Sequence, residues 1–371
     1  MDSFYICNKA MDKQHSKLGG NGMNIRVMNK KITMLVGMIL ILLCNMFTTG
    51  QVFAAGTTGF SDDNTTDADK SNWMGYISDT QTLSQLSIPG THDSLAFHGN
   101  TLFDKRVVQT QSVPLNMQLT AGIRYLDIRV KRTGSSFDIY HGSVYQQASF
   151  DDTMNTVTNF LKKHPSETIL MRVKEETDAE SGSQSFETIF TNYWNKYSNY
   201  LVKPTSNNPK LGDVRGKIII LQNFDSNRTF GIPYGSLNIQ DEFTAVDGAK
   251  YRAVEDHLLK ANKDMNNIYL NHFSTNGIKD FGTYIMDNLT PKAQAKYIND
   301  QFWVYMQLPA KYTNNTPKEY IEHTGIIAMD FPSSGTVSMG GTSDSHLRNV
   351  GLIDVIISKN SFKLTRPAII N

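Results

Sequence analysis

From Trp73 onward, short apolar runs alternate with amphipathic stretches along this 371-residue chain, and this alternation limits the folds it can adopt. Several of the apolar runs are almost continuous in Ile, Leu and Val, which is typical of strands buried on both faces of a parallel sheet. No internal repeat and no long Pro- or Ser-rich linker divides the chain. The pattern predicts an α/β protein with a single TIM-type (βα) barrel.

The strand-like runs and helical patterns can be placed along the sequence. The predicted strands are 86–88, 123–130, 137–140, 168–173, 217–221, 237–239, 268–270 and 326–329. The predicted helices are 150–163, 186–197, 253–263, 291–302 and 350–357.

The first 55 residues predict a signal peptide and leader. A basic patch that includes Arg26 precedes an apolar run over 32–47, and small residues end the segment at Ala54 and Ala55. This order is that of a secretory signal, and the run is short for a permanent membrane anchor. We therefore expect the protein to be secreted and extracellular.

The rest of the chain divides into a flexible lead-in and the barrel. Residues 56–72 are mostly Gly, Thr, Asp and Asn with little to bury, and the catalytic barrel is predicted over 73–371. Both cysteines, Cys7 and Cys44, lie in the leader, which excludes a disulfide framework in the mature chain. The 333–347 segment is interpreted as a loop.

Charge excludes nucleic acid as an expected partner. The first 55 residues hold six of the 36 Lys and Arg and two of the 35 Asp and Glu, so the remainder has a net charge of −3. No basic block or basic–aromatic stripe is present in the sequence. A monomer is the expected state for a secreted enzyme of this size.

Candidate chemical residues lie at the ends of different predicted strands or just past them. In a parallel barrel the carboxyl ends of the strands meet at one rim, so these residues are expected to converge there. They are His92, Asp93, Asp127, Arg129, His141, Lys174, Glu175, Glu176, Asp241 and Asp330.

Two local patterns supply most of the predicted chemistry. Pro89-Gly90 reads as a turn that places His92 beside Asp93, although Asp and Ser could equally cap a helix there. Asp127 and Arg129 lie two residues apart in a predicted strand, so their side chains point to the same face. They could form a phosphate site or a structural ion pair.

His141 supplies a second imidazole. A lone histidine at a strand end is more often structural, but two of them can remove and donate a proton near neutral pH. The remaining histidines are assigned to loops or helices as structural or solvated groups; they are residues 98, 164, 257, 272, 323 and 346.

Two imidazoles, an arginine and several carboxylates fit the cleavage of a phosphodiester by an internal hydroxyl. No zinc-ligand spacing, no Gly-x-Ser-x-Gly elbow and no phosphate-binding Gly-rich loop points elsewhere.

These residues resemble the bacterial phosphatidylinositol-specific phospholipase C family. The likeness consists of ordered motifs between Trp73 and Asp330: SIPGTHDS at 87–94, GIRYLDIRV at 122–130, YHGSVY at 140–145, HPSETILMRVKEE at 164–176, VRGKIIIL at 214–221, IQDEF at 239–243 and AMD at 328–330. It implies a distorted barrel and attack by the inositol 2-hydroxyl on phosphorus, which releases diacylglycerol and a cyclic inositol phosphate.

The resemblance also implies a role for each catalytic residue. His92 is the general base, oriented by Asp330, and His141 is the general acid, held by Asp93. Arg129 binds the phosphate with the support of Asp127.

The resemblance implies a headgroup pocket and a membrane-facing rim as well. The pocket would contain Lys174, Glu176, Arg215, Asp241 and, where tyrosine is usual in the family, Phe243. Apolar residues expected to touch the bilayer are Phe97, Leu102, Phe103 and Phe281.

Because Arg129 supplies a fixed positive charge, no metal and no other cofactor is expected. The expected substrate is phosphatidylinositol in membranes, touched transiently, with glycan-linked (GPI-type) inositol lipids as an open extension. Two alternatives stay open: a metal-dependent glycerophosphodiester phosphodiesterase, and a catalytically inactive lipid- or sugar-binding barrel.

Overall fold

The structure is a computed structural model that describes residues 59–278, 287–307, 319–335 and 350–362, apart from the side chains of 102–104 and 287. The predicted signal peptide over 1–55, the start of the lead-in, Phe281 and most of the 333–347 segment lie outside these residues. No helix in the described ranges is both long and apolar enough to cross a bilayer.

A curved, mainly parallel sheet forms the centre of the fold, and it confirms the predicted distorted (βα) barrel. Its strands follow each other from β9 through β10, β11, β1, β2 and β5 to β7. The bounds are β1 Ile88–Thr91, β2 Tyr125–Thr133, β3 Ser136–His141, β4 Val144–Ser149, β5 Ile169–Glu175, β6 Leu201–Val202, β7 Ile218–Asn223, β8 Ile232–Pro233, β9 Asn238–Gln240, β10 Tyr269–His272 and β11 Ile326–Met329.

The barrel is distorted at one place. Strand β7 pairs with β5 along one edge and with the short strands β6 and β8 along the other. Within the described residues, no strand pairing joins β8 to β9, which is the far end of the sheet. The barrel wall is therefore open between these two strands.

Strands β3 and β4 are not part of the parallel barrel. Strand β3 runs antiparallel to the outer half of β2, with Val130 opposite Ile139 and Thr133 opposite Ser136, and β4 runs antiparallel to β3. The prediction that 137–140 is a parallel barrel strand is therefore wrong. Its apolar residues, Phe137 and Ile139, are buried, but against the outer helices rather than inside a wall strand.

Helices cover the outside of the sheet. The helix that follows β4 begins at a capping box, in which the Ser149 side chain accepts from Asp152 N at 3.1 Å, and it ends on two lysines that complement the helix dipole. The helices are α1 Leu102–Val108, α2 Leu115–Thr120, α3 Phe150–Lys163, α4 Phe186–Lys196, α5 Leu211–Val214, α6 Asp247–Lys263, α7 Pro291–Gln307 and α8 Leu352–Ser358. Short 3-10 turns cover Trp73–Tyr76, Leu83–Gln85, Tyr234–Ser236 and Asp287–Leu289.

Strand β1 needs its glycine because it lies very close to β2. A Cβ atom at Gly90 would lie 2.6 Å from the Cβ of Tyr125. Pro89 and Gly90 belong to the strand itself, so the turn predicted at these residues is not present. The close approach sets Thr91, the last residue of β1, opposite Leu126 in β2, so that His92 and Asp93 follow beside Asp127.

The described part of the predicted lead-in packs against the barrel. Phe60 forms a β-bridge with Pro332, and the buried Lys70 pairs with Asp354 at 2.7 Å. Ala68 and Ser71 are also buried. The description as a flexible lead-in therefore does not hold for residues 59–72, because its few apolar and charged residues find partners on the C-terminal segment.

Candidate active site

The predicted catalytic residues converge at the carboxyl ends of the barrel strands. His92 follows β1, Asp127 and Arg129 lie in β2, and Asp330 follows β11. His141 reaches the same place from outside the barrel wall, because β3 descends antiparallel to β2 and ends at the rim. The convergence was predicted, but the path by which His141 arrives was not.

The hydrogen bonds of His92 define its tautomer. Its Nδ1 atom lies 2.8 Å from Asp330 Oδ1, and its Nε2 atom lies 2.7 Å from Arg129 Nη2. Because a guanidinium only donates, Nε2 carries the lone pair and Nδ1 donates its proton to Asp330. The imidazole is therefore neutral, with its basic nitrogen on the side of the arginine.

Arg129 joins the other groups of the site. Its Nη2 atom donates to Asp127 Oδ2 at 3.1 Å, and its Nη1 atom lies 3.3 Å from Asp93 Oδ2 and 3.2 Å from Glu176 Oε1. Three carboxylates surround one guanidinium, so its orientation is fixed before any ligand binds.

His141 is held through its Nδ1 atom. This atom donates to the carbonyl oxygen of Val108 at 2.7 Å and lies 3.3 Å from Asp93 Oδ2. Asp93 itself adopts a left-handed backbone conformation, with φ of 44°, which directs its carboxylate between Arg129 and His141. The Nε2 atom of His141 thus remains for a ligand.

Burial shifts the pKa of His92 downward and the pKa of two carboxyl groups of the site upward. Burial lowers the pKa of His92 well below its ordinary value, and the positive charge of Arg129 lowers it further. Burial raises the pKa of Asp93 to about 6, although Arg129 and His141 oppose this, and it raises the pKa of Asp330 well above its usual range.

Two arginines hold the carboxylate of Asp127 ionised. Burial alone would raise its pKa, but Arg129 and Arg172 outweigh this effect and hold the pKa well below the usual range. Arg172 Nη1 lies 3.3 Å from Asp127 Oδ1, so the carboxylate is bound between two guanidinium groups. It is a permanent negative charge beneath the site.

A cavity of about 280 Å³ opens beside these groups, near the lower end of the range for small-molecule sites. Lys174, which donates to Glu176 Oε2 at 2.9 Å, lines the cavity together with Asp241 and Phe243. The ring of Phe243 is 64% exposed, so it presents an apolar face at the mouth. The lining residues are His92, Val107, Thr110, Arg129, His141, Arg172, Lys174, Asp241, Phe243, Ser274, Thr275, Asn276, Pro291 and Asp330.

Comparison with known proteins decides the family. The family described as "Phosphatidylinositol-specific phospholipase C, X domain" matches residues 86–224. A "1-phosphatidylinositol phosphodiesterase" of Listeria monocytogenes is 34% identical over 282 residues, which cover 71% of this chain and 82% of that protein. The chain belongs to the bacterial phosphatidylinositol-specific phospholipase C family. A Staphylococcus aureus protein of the same name is 30% identical over 232 residues, covering 55% of this chain and 74% of its own length.

Solved structures of this phospholipase C family share the fold. The phosphatidylinositol-specific phospholipase C of Listeria monocytogenes superposes with a TM-score of 0.60 at 31% identity, covering 80% of this chain and all of that one. A double mutant of the S. aureus phosphatidylinositol-specific phospholipase C gives 0.63 at 26% identity, covering 79% of this chain and 97% of its own.

One predicted pocket residue lies elsewhere in this phospholipase fold. Arg215 precedes β7 and therefore lies at the amino-terminal end of the barrel, opposite the cavity. Its guanidinium pairs with Asp79 at 2.7 Å and donates to the carbonyl oxygens of Met74, Ile77 and Ser166. The prediction that Arg215 lines the headgroup pocket is wrong, because the parallel strand that follows it carries the chain away from it toward the rim.

Two ionisable residues at the site were not predicted. Arg172 lies in β5 two residues before Lys174, and its Nε atom donates to Asn223 Oδ1 at 2.9 Å. His272 ends β10, where its buried ring packs edge-on against that of His92 with centroids 5.8 Å apart. The period of a strand could have identified Arg172, which lies two residues before Lys174. The strand-end rule could have identified His272, but this histidine was assigned to a loop or helix.

Of the predicted membrane-facing residues, only Phe97 has a described side chain. It is half-buried and packs against the hydrophobic core. Leu102 and Phe103 lie in α1, but their side chains are outside the described part, as is all of Phe281.

Proposed function

We propose that this protein is a secreted phosphatidylinositol phosphodiesterase that releases diacylglycerol and forms 1,2-cyclic inositol phosphate. The observation that carries the proposal is the pairing of each imidazole with its own carboxylate on either side of Arg129. Cleavage by an internal hydroxyl needs one group to remove a proton, one to return a proton, and fixed positive charge at the phosphate.

His92 acts as the general base. The phosphate accepts the hydrogen bond that Arg129 Nη2 otherwise donates to His92 Nε2, so this nitrogen is free to accept the proton of the inositol 2-hydroxyl. The oxygen attacks phosphorus, and Asp330 stabilises the imidazolium through Nδ1. The lowered pKa of His92 keeps it unprotonated at neutral pH, before substrate binds.

His141 acts as the general acid. Its Nδ1 atom is held by Val108 O and Asp93, so Nε2 is the nitrogen that protonates the glycerol oxygen as its bond to phosphorus breaks. Asp93 supports the charged imidazolium that this step requires. Each of the two proton transfers is expected to contribute about 10²- to 10⁴-fold to the rate.

The reaction is proposed to need no metal. Asp93, His141 and Glu176 offer ligand atoms close enough to share a cation. However, Arg129 Nη1 already lies 3.3 Å from Asp93 Oδ2 and 3.2 Å from Glu176 Oε1. The guanidinium thus supplies the positive charge for the phosphate that a metal would otherwise supply.

The cavity beside Arg129 fits a polyol headgroup. Lys174 and Arg172 provide donors for ring hydroxyls, Asp241 provides an acceptor, and Phe243 offers a flat apolar surface. Glu176, predicted for this pocket, is not among the lining residues but accepts from Lys174. The same chemistry would accept the inositol of GPI-type lipids. Contact with the membrane through the rim, including Phe103 and Phe281, remains part of this proposal, as do secretion and a monomeric state.

A lipid panel tests the substrate assignment. The secreted protein is incubated with vesicles of phosphatidylinositol or phosphatidylcholine, with a GPI-anchored protein, and with glycerophosphoinositol. We expect diacylglycerol from phosphatidylinositol, none from phosphatidylcholine, and no cleavage of glycerophosphoinositol to free glycerol phosphate. Release of glycerol phosphate would favour the glycerophosphodiesterase alternative, and binding without any product would favour an inactive barrel.

A further inference from the structure

Lys250 is a buried lysine that the proposed mechanism does not use. It lies in the first turns of α6, and its side chain is fully buried. Lysine is rarely buried unless its ammonium group is paired. In the ranges that the structure describes, Lys250 forms no ion pair, so the presence of a lysine at this buried position needs a physical reason.

The ammonium group of Lys250 contacts the residues on both sides of Asp241. Its Nζ atom donates to Gln240 Oε1 at 3.3 Å and to the carbonyl oxygen of Glu242 at 3.2 Å. Gln240 Oε1 also accepts from Glu242 N at 2.6 Å. The segment that presents Asp241 and Phe243 to the cavity is thus closed on itself through one lysine and one glutamine.

The same glutamine ties the segment to the sheet. Gln240 Nε2 donates to Asn271 Oδ1 at 2.7 Å and to the carbonyl oxygen of His272 at 2.9 Å. Asn271 Nδ2 in turn donates to Val254 O in α6 at 2.9 Å. The network therefore connects β9, β10 and α6 next to Asp241 and Phe243, which line the cavity.

We propose that Lys250 is a positioning residue for headgroup recognition, which holds the 240–243 segment so that Asp241 and Phe243 face a bound polyol ring. The inference rests on the proposed function for the identity of the ligand. The positioning role of Lys250 does not depend on the identity of the ligand, because the order of the 240–243 segment can be measured without substrate.

The charges around Lys250 make its contribution depend on pH. Burial lowers the pKa of Lys250 to about 8, while Asp241, Asp330 and Glu242 oppose the shift. His272 also faces it from β10. Above pH 8 the amine loses its charge, and its hydrogen bonds to Gln240 and Glu242 weaken because they are no longer charge-assisted.

The test compares Lys250→Met with Lys70→Met, a second buried lysine that pairs with Asp354 far from the cavity. The measurements are the melting temperature, KM and kcat on phosphatidylinositol, the Kd for myo-inositol, and hydrogen exchange of peptides covering 238–249. For Lys250→Met we expect KM and Kd to rise about 10-fold through the lost charged hydrogen bonds, with kcat changed less than about 3-fold. Exchange in 238–249 should accelerate.

Stability separates positioning from a purely structural role. Removing an unpaired buried ammonium relieves its desolvation penalty, so Lys250→Met should melt no lower than the wild type. Lys70→Met should melt lower, because it leaves Asp354 without its partner, and should leave KM and the 238–249 exchange unchanged.

Several results would overturn the proposal. One is an unchanged KM and an unchanged hydrogen exchange of 238–249 in Lys250→Met. Another is a rise in KM and a faster exchange in Lys70→Met that match those of Lys250→Met. If Lys250→Met does not fold, the wild-type profile decides: KM should rise with an apparent pKa of about 8, and a flat KM from pH 7 to 9 contradicts the proposal. Accelerated exchange in a protein that neither cleaves phosphatidylinositol nor binds myo-inositol would refute the proposed function while supporting the positioning role.

Discussion

The Nε2 atom of His92 accepts from Arg129, whereas the Nδ1 atom of His141 donates to Val108 O. The first imidazole therefore has a lone pair at the centre of the site, and the second has a nitrogen that can carry a proton to a leaving group. A guanidinium donates to the first imidazole, whereas a carbonyl oxygen accepts from the second. Two side chains of the same chemistry therefore have different roles.

Substrates with different leaving groups should separate the two histidines. His92→Ala is expected to lose about 10³-fold or more in rate on any inositol phosphodiester. His141→Ala should lose as much on phosphatidylinositol but recover most of its rate when the leaving group is a nitrophenolate, which departs without a proton. Initial rates on the two substrates measure this, and equal losses for both variants on both substrates would contradict the assigned roles.

Asp93 should make stability depend on pH. Its folded pKa of about 6 lies above its ordinary 3.8, so the folded state binds this proton more tightly. The stabilisation is complete below about pH 4 and is lost as the pH rises through 6. Asp93→Asn should therefore be more stable than the wild type at pH 7.5, by about 3 kcal/mol at most, with no gain at pH 4.

Thermal melts of both proteins between pH 4 and 8 measure this effect. Asp63→Asn, a change at an exposed carboxylate, is the matched control and should show no such trend. A destabilised Asp93→Asn at pH 7.5 would show that the contacts with Arg129 and His141 outweigh burial.

Single residues were predictable where a strand end exposes them. His92, Asp330 and the Asp127–Arg129 pair could be placed because the strand-end rule and the period of a strand fix their positions and faces. The distances between them could not, since His92 Nε2 meets Arg129 only through the packing of β1 on β2. Arg215 was misplaced because it was assigned from the family resemblance. It precedes the predicted strand 217–221, so the strand-end rule alone would have put it at the opposite end of the barrel.

At the scale of elements, the outer strands β3 and β4 matter most for the site. Strand β2 continues for several residues past the rim, and β3 returns along it to bring His141 back to the level of Arg129. Apolar content predicted a strand at 137–140 correctly, but the direction of a strand depends on the turn at Gly134 and on its pairing. Helix α3 was predictable to its ends because its caps are local signals.

Arg172 and Arg215 lie at opposite ends of the barrel, so their substitutions should have different effects. Arg172→Met should lower kcat/KM for phosphatidylinositol about 10²-fold, because Asp127 loses a buried partner and the cavity loses part of its wall. Arg215→Met should keep KM and kcat but unfold about 1–3 kcal/mol more easily, since three carbonyl oxygens lose their donor.

Kinetics and denaturant unfolding on the same two preparations separate these effects. The result that would oppose the structure is a raised KM in Arg215→Met with unchanged stability, which would place Arg215 in the headgroup pocket after all.

At the scale of the whole molecule, the barrel gathers residues that are more than 200 positions apart in the chain into one cavity. The outline of this architecture followed from the alternation of apolar runs, because parallel strands leave few other arrangements. The gap between β8 and β9 did not, since it depends on which strand edges meet. The packed segment over 59–72 also escaped prediction, because its partners lie at the other end of the sequence.

In the proposed mechanism, Arg129 is the source of positive charge at the phosphate. We expect two imidazoles, the carboxylates that orient them and this guanidinium to cyclise the substrate without a metal. If a bound cation were needed, Asp93, His141 and Glu176 would be its ligands and Arg129 would have to leave their centre.

Phosphorus NMR of the purified protein with phosphatidylinositol vesicles in excess EDTA tests whether Arg129 takes the place of a metal at the phosphate. We expect the lipid phosphodiester signal to decay and the signal of a five-membered cyclic phosphate to grow at the same rate with and without EDTA. A reaction that stops in EDTA and resumes on addition of calcium would contradict the role of Arg129, and an acyclic phosphate as the first product would contradict attack by the inositol hydroxyl.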